Sequence, residues 1–393
     1  MADRPRRNQA AALLAWRNLT ESRLHLLTSV AGAAFAVTLM FMQNGFRHAL
    51  LDSMTSVIRR FDGDLVVFHR GLYTLVVPLQ FPMRRLQPAA GFDEVEAISP
   101  VYVETRKPLW RNVRDGLPRR IRVVGFRPED QILDIPELRR NIALWKAPET
   151  VMADADAKPK YGPLTPGLTS ELAGRRVRIA GLFRLGADFQ NDGTLVTSEE
   201  NFLAYFPERR GLTAADRAID IGVIHLRPGA DPQRVQERIS VLLDQDVEVM
   251  TKREFIAKEQ GFWDRVAPVG TVFNIGVVMG FIVGLAICYQ VLFSDIADRM
   301  AEFATLKAVG HGERWLMGVV VLQAVFLSLL GYAVGLVVSQ GLFLLIRNAT
   351  GLPMEFKPLG ALMILGLTVA MCVLSGLLAA QRLTRVDPAQ LFR

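Results

Sequence analysis

The chain has 393 residues, half of them apolar, with a mean hydropathy of +0.23 and a net charge of +7. Its two cysteines, Cys288 and Cys372, both lie in apolar stretches, which excludes a disulfide framework or a cysteine-based metal site across the long middle of the chain. Although 22% of residues are charged, four long windows carry no Asp, Glu, Lys or Arg at all, so a soluble globular protein is excluded and a membrane protein is expected.

Residues 1–23 hold Arg4, Arg6, Arg7, Arg17 and Arg23 among Leu13, Leu14, Trp16 and Leu19. This pattern predicts a cytoplasmic interfacial helix with Trp16 at headgroup depth. Leu24–Phe46 is the first uncharged window and predicts transmembrane helix 1. Ala34-Phe35-Ala36 resembles a signal-peptide cleavage site, but the apolar run continues past it, which favours a retained span. Leu50, Met54, Val57, Ile58 and Phe61 keep the helical period and predict an amphipathic stalk ended by Asp62-Gly63.

Residues 47–265 are expected to form an extracytoplasmic α+β domain. They carry 33 basic and 31 acidic side chains, so the basic excess of the chain reflects its membrane topology and gives no nucleic-acid signal. Strands are predicted at Asp64–Phe68, Arg120–Val123, Arg176–Ile179 and Thr194–Thr197, the last after the tight-turn signal Asp192-Gly193. Residues 135–170, rich in Pro and Ala, read as loops and short helices. Ile219–Met250 reads as strand, helix, strand, with Asp231 capping the helix, Pro232 at its first position and Val235, Ile239 and Leu242 on its apolar face. Thr251–Arg265 reads as a second stalk.

The windows 266–294, 315–346 and 358–381 predict transmembrane helices 2, 3 and 4, joined by a cytoplasmic helix at 295–314 and a short outer loop at 347–357, with a cytoplasmic tail at 382–393. Arg and Lys concentrate in the N-terminal tail, at Arg299, Lys307 and Arg314, and at Arg382, Arg385 and Arg393, which places both termini in the cytoplasm. Gly276, Gly280 and Gly284 are spaced as a doubled G-x-x-x-G, repeated once at Gly331 and Gly335. Such a groove serves either as a dimer seam or for packing within one chain. Asn274, Gln290, Gln323 and Gln340 are expected to hydrogen-bond between helices. The absence of charge inside the spans argues against a proton- or ion-coupled pump.

No P-loop, H-E-x-x-H, G-x-S-x-G or Cys/His cluster occurs, so nothing supports an enzyme or a metal site, and no ATP site is expected on this chain. Glu199-Glu200 and Asp154/Asp156 read as solvated charges. In 295–310, Ile296, Met300, Phe303 and Leu306 share one helical face, Asp295/Arg299 and Arg299/Glu302 are spaced for ion pairs, and Gly310 is placed to end the helix. That apolar ridge suits docking on a cytoplasmic partner.

The segment Arg299-Met300-Ala301-Glu302-Phe303-Ala304-Thr305-Leu306-Lys307-Ala308-Val309-Gly310 resembles the R-x-x-E-[FIY]-[AG]-x-L-K-A-[IVML]-G motif of FtsX/MacB-type ABC transporter permeases. Arg385–Phe392 resembles their closing D-P-A motif. Phe35–Gln43, Gly193–Ser198 and Met279–Gly284 resemble segments of the DevC permeases, and the likeness extends over essentially the whole chain. The resemblance implies a MacB-like periplasmic core inserted between transmembrane helices 1 and 2, in a multi-pass inner-membrane protein that works as a homodimer. It implies a mechanotransmitter in which Arg299, Glu302, Phe303, Thr305, Leu306, Lys307, Ala308 and Gly310 couple to a DevA-like ATPase subunit that carries the ATP and Mg. The expected further partners are a DevB-like membrane-fusion protein and a TolC-like outer-membrane channel, with a lipid, glycolipid or other hydrophobic cargo. The alternatives are an FtsX-like transmembrane signal transmitter, disfavoured by the length of the outer domain, and a LolC/LolE-like lipoprotein-releasing permease, disfavoured by the DevC-like segments.

Overall fold

The computed structural model describes residues 4–383 apart from 141, 187, 189, 190, 267, 268, 351 and 353. The closing motif at Arg385–Phe392 lies outside the described residues. The chain divides into two units, one of Met1–Ala49, Val269–Thr350 and Met354–Arg393, the other of Leu50–Pro268 with Gly351–Pro353.

The chain begins with α1 (Arg4–Thr20) and α2 (Arg23–Met54), the latter unbroken through Ala34–Ala36. The second unit follows: α3 (Ser56–Arg59), β1 (Leu65–His69), β2 (Phe81–Pro82), β3 (Val95–Glu104), β4 (Leu109–Arg111), β5 (Pro118–Arg120), β6 (Arg122–Phe126), α4 (Pro136–Arg140), α5 (Ile142–Lys146), β7 (Thr150–Asp154), β8 (Thr169–Leu172), β9 (Arg175–Phe183), β10 (Thr194–Ser198), α6 (Glu199–Tyr205), β11 (Ala218–Ile219), β12 (Ile221–Leu226), α7 (Pro232–Leu242), β13 (Val247–Thr251) and α8 (Lys252–Val266). The chain closes with α9 (Val269–Asp298), α10 (Met300–Ala308), α11 (Glu313–Thr350) and α12 (Pro358–Leu383).

Among the described residues, four helices are long and apolar enough to cross a membrane: Arg23–Met54, Gly270–Asp298, Glu313–Thr350 and Pro358–Gln381. At 38 residues, α11 rises about 57 Å, well beyond a hydrocarbon core of about 30 Å, so its ends reach out of the apolar layer. The bundle core gathers Ala33 and Ala36 of α2, Cys288, Leu292 and Ile296 of α9, Leu316, Val320 and Leu327 of α11, and Met371 and Cys372 of α12. α1 lies on α11, where Ala11 and Ala15 meet Val319 and the Trp16 ring meets Phe326 edge-on at 5.5 Å.

The second unit is built on an eleven-stranded mixed sheet in the order β13-β1-β12-β3-β6-β10-β7-β9-β8-β4-β5, with β2 and β11 as a separate pair. Both faces of the sheet are covered over its central strands, while β8, β4 and β5 at one end keep exposed residues. Leu65 and Val67 of β1 enter one core, while Val66 and Phe68 enter the other. Strands covered on both sides show continuous burial in place of an alternating polar face.

That double burial explains where simple alternation misleads. The run Arg120–Val123 is not one strand, since β5 ends at Arg120 and β6 begins at Arg122. The Arg122 side chain is buried, and its guanidinium donates to Asp188 at 2.5 Å and to Thr194 Oγ1 at 2.7 Å. Asp192-Gly193 makes no hairpin, because β10 pairs in parallel with β6 and antiparallel with β7. The Pro- and Ala-rich stretch 135–170 contains the central strand β7 as well as short helices. β12 and β13 flank β1 and do not pair with each other. In α7, Asp231 Oδ1 accepts from Gln233 N–H and Val235 and Ile239 are buried, but Leu242 is 60% exposed and Leu243 takes its place inside. Two carboxylates expected in solvent are buried. Glu199 accepts from Tyr102 Oη at 2.6 Å and pairs with Arg217, while Asp154 Oδ1 accepts the backbone N–H groups of Asp156 and Leu185.

Candidate coupling junction

The segment 295–310 is not one helix. α9 continues to Asp298, and the chain bends at Arg299 (φ −104°, ψ 17°) before α10 begins at Met300. The bend turns the Arg299 side chain back toward the first two helices. Its Nη2 donates to the backbone oxygen of Asn18 at 2.7 Å, its Nη1 reaches Glu21 Oε2 at 2.5 Å, and its Nε donates to Asp295 Oδ1 at 3.2 Å. Glu302 stands further off, at 3.9 Å. Partial burial acts against the charged guanidinium, but the carboxylates of Glu21 and Asp295 outweigh it and hold its pKa above the usual value. One side chain thus joins the α1–α2 turn, the last turn of α9 and the start of α10.

The other end of α10 is also fixed. Gly310 N–H donates to Lys307 O and His311 N–H to Leu306 O, both at 3.1 Å, with Gly310 at φ +101°. This double closure satisfies the last carbonyls of the helix, and the left-handed backbone at its centre suits glycine. Lys307 Nζ pairs with Glu313 Oε1 of α11 at 3.0 Å, and the His311 and Trp315 rings stack at 4.2 Å. Short restraints therefore hold α10 to its neighbours at both ends.

The ridge expected to dock a partner faces inward. Ile296 and Phe303 are each 3% exposed in the bundle core, with Met300 and Leu306 packed against it. The helix is anchored by the very residues that make it amphipathic. The face left outward is Ala301, Glu302, Thr305, Ala308, Val309 and Gly310, with Val309 75% exposed. Asn18 and Glu21 were not among the expected site residues. Only Glu21 carried a thin signal in the sequence, as the only acidic residue between Arg4 and Leu51.

The glycines place α2 at the centre of the bundle. A Cβ at Gly276, Gly280 or Gly284 would come within 2.5 Å of Gln43 Cδ, 3.1 Å of Met40 Cγ or 2.6 Å of Ala36 Cβ. On α11, a Cβ at Gly331 would meet Ala33 Cβ at 2.5 Å, and one at Gly335 would meet Val37 Cγ1 at 2.6 Å. The spacing left open whether this groove packs within one chain or against a twin, and here it is packed by α2 of the same chain, antiparallel along α9 and parallel along α11, with Met371 of α12 also against Gly284. The outward face of α9 is instead lined by Val272, Ile275, Met279 and Ile282, each more than half exposed. Of the span amides, Asn274, Gln290 and Gln340 point outward, and the buried Gln323 amide makes no hydrogen bond, so the expected bonds between helices do not form there.

Among the described residues, no group of three or more His, Cys, Asp or Glu is arranged to hold a metal ion. The junction holds ion pairs and packed apolar side chains, and its geometry suits passing displacement from α10 into α2 and α9.

Residues 274–388 match the family model described as the FtsX-like permease C-terminal domain. The chain is 35% identical over 136 residues to an uncharacterised ABC transporter permease of Mycobacterium tuberculosis, found alike in strains CDC 1551 and H37Rv; the match covers 33% of this chain and 37% of that protein. The chain therefore spans 37% of the length of the curated relatives it matches. Among solved structures, the periplasmic region of MacB from Actinobacillus actinomycetemcomitans is similar at TM-score 0.35 and 10% identity, over 50% of this chain and 93% of that one. The extracellular domain of the noncanonic ABC-type transporter YknZ from Gram-positive bacteria is similar at TM-score 0.34 and 11% identity, over 48% and 98%.

Proposed function

We propose that this chain, with an FtsX-like permease domain over residues 274–388, is the membrane subunit of an ABC transporter that turns ATP-driven motion of a partner into motion of its own outer residues. ATP and Mg are held by the partner ATPase. The observation that carries this reading is the Arg299 junction, where a helix with one exposed face is tied by a single side chain to both α9 and the α1–α2 turn. A load on Ala301, Glu302, Thr305 or Ala308 reaches α2 and α9 together. These are the two helices that flank residues 50–268 in sequence.

In the fuller form of the proposal, the chain is a DevC-like homodimer in the inner membrane with both termini in the cytoplasm. It works with a membrane-fusion protein and an outer-membrane channel, and exports a lipid, glycolipid or other hydrophobic cargo. The Arg and Lys bias toward the α9–α11 connection and the N-terminal tail supports that orientation.

The test is co-purification of the full chain with a P-loop ABC ATPase co-expressed from the same organism. Glu302→Arg and Ala308→Arg both alter the exposed face of α10, and Ala308→Arg does so without touching the Arg299 ion pairs. Loss of ATPase assembly in both variants is the expected result. Full assembly and full ATP turnover in both would remove α10 from the coupling path.

A further inference from the structure

The unit Leu50–Pro268 holds a second feature that the coupling reading does not use. A cavity of about 280 Å³ is lined by Val76, Val77, Arg106, Arg120, Arg122 and Lys160, with Asp192 as the only carboxylate among the described residues on its wall. Asp192 is already shared by Lys158 and Lys160, and Arg122 is held by Asp188 and Thr194. Among the described residues, no carboxylate lies within ion-pair distance of Arg106 or Arg120, and both side chains are exposed. Two exposed arginines with no carboxylate partner among the described residues therefore line a small cavity whose own acid is neutralised. A guanidinium binds phosphate or carboxylate oxygens through paired N–H donors.

The adjoining surface has the opposite character. Val76 and Val77 belong to the connection between β1 and β2. That connection also exposes Tyr73 (74%), Val77 (41%) and Leu79 (39%). Of these, Val77 also lines the cavity, which sets exposed apolar surface at its rim. A basic cavity with an apolar shoulder matches one ligand chemistry, an anionic head attached to an apolar chain.

We propose that this cavity binds the phosphate-bearing headgroup of an amphiphile, whose chain lies over Tyr73, Val77 and Leu79. The same connection is tied to α8. Glu259 of α8, 2% exposed, accepts from Thr74 Oγ1 at 2.5 Å, from Leu75 N–H at 3.1 Å and from Trp263 Nε1 at 2.9 Å. Occupancy of the cavity therefore bears on the helix that leads in sequence to α9. The proposal deepens the export reading, since it names the headgroup chemistry of the cargo and rests on that reading for the word cargo. Its test needs no ATPase, so the two can fail separately.

The full-length chain in phosphatidylcholine nanodiscs is titrated calorimetrically with dihexanoyl phosphatidic acid, dihexanoyl phosphatidylcholine, inorganic phosphate and a poly-glutamate peptide. Phosphatidic acid is expected to bind most tightly. The double variant Arg106→Ala/Arg120→Ala should weaken it by about tenfold or more, the loss expected when charged hydrogen bonds are removed. Tyr73→Ser/Val77→Ser should reduce its affinity to that of inorganic phosphate. All four substitutions are on exposed side chains, and an unchanged melting temperature verifies the fold. Phosphatidylcholine binding as tightly as phosphatidic acid, arginine variants that bind as the parent does, or tighter binding of poly-glutamate would each overturn the proposal, the last in favour of an acidic protein segment.

Discussion

Arg299 Nη2 donates to the backbone oxygen of Asn18 at 2.7 Å across 281 positions of sequence. A backbone acceptor fixes the position of the α1–α2 turn irrespective of the side chain at residue 18. The guanidinium can serve three acceptors at once because its donors form a rigid fork, which an ammonium group cannot reproduce. Arg299→Lys is therefore expected to keep the charge and lose the junction. Arg299→Ala should cost about 2 kcal/mol of stability, since the side chain is mostly buried and bonds to charged partners. On the proposed coupling role, both variants should still recruit the partner ATPase but give transport at least about tenfold below the parent. Transport by Arg299→Lys equal to that of the parent would show that charge alone suffices.

The glycine contacts on α2 are not equal, which makes them testable one by one. At Gly331 and Gly335 the obstructing atoms are Ala33 Cβ, Val37 Cβ and nearby α2 backbone, none of which can swing aside. Gly331→Ala and Gly335→Ala should each cost about 1–3 kcal/mol by overpacking. Gly318 and Gly341 lie on the same helix with nothing within 4 Å of a built Cβ. Alanine there should be neutral or stabilise by up to about 1 kcal/mol, the difference in helix propensity. Thermal unfolding of the four purified variants in detergent gives the comparison, and equal melting temperatures across the set would refute the packing described.

Much of the architecture could be read from the residues. The four uncharged windows mark the spans because charge is expensive in hydrocarbon, and Asp231-Pro232 marks the start of α7 because its cap is local chemistry. The partner of each face could not be read. Gly276, Gly280 and Gly284 have the same spacing whether a twin chain or α2 fills the groove. Ile296, Met300, Phe303 and Leu306 form an apolar ridge whether it points at a partner or into the bundle, and the structure turns it inward. β7 was hidden because a strand covered on both faces carries no period-two pattern, and its neighbours β9 and β10 lie later in the chain. The Asn18 contact had no sequence signal at all, since a backbone acceptor leaves no trace in residue type.

The two thiols test how α9 and α12 lie together. Cys288 Sγ and Cys372 Sγ are 3.5 Å apart, both buried and both reduced. A modest approach would bring them to bonding distance of about 2.05 Å. Oxidation of membranes with copper phenanthroline should join them within one chain, seen as peptides linked in mass spectrometry and as loss of alkylation at both positions. The link should be absent in Cys372→Ser. Thiols that stay fully alkylated after oxidation would place the two helices further apart than described.

The last expectation concerns pH and the unit Leu50–Pro268. Asp220 is 2% exposed, accepts from Val103 N–H at 2.8 Å and lies 3.1 Å from the Arg209 guanidinium, itself 1% exposed. Burial is the largest influence on its carboxyl and raises it, Arg209 and the Val103 N–H oppose the rise, and the outcome is a pKa lifted from 3.8 to about 6. A carboxyl raised in this way holds its proton more tightly folded than unfolded. Its contribution to stability is therefore complete below about pH 4 and is lost as pH rises through about 6. A shift of about two units corresponds to about 3 kcal/mol across that window. Asp220→Asn cannot titrate, so the stability of the parent relative to this variant should fall between pH 4 and pH 6 and stay level above pH 7. Carboxylates lowered by ion pairs, such as Asp192 and Glu208, act in the opposite direction but equally in both proteins, and cancel in the difference. Urea unfolding of the full chain in detergent at pH 4, 5, 6 and 7.5 measures it. A difference that rises with pH would mean that Arg209 outweighs burial and holds Asp220 ionised.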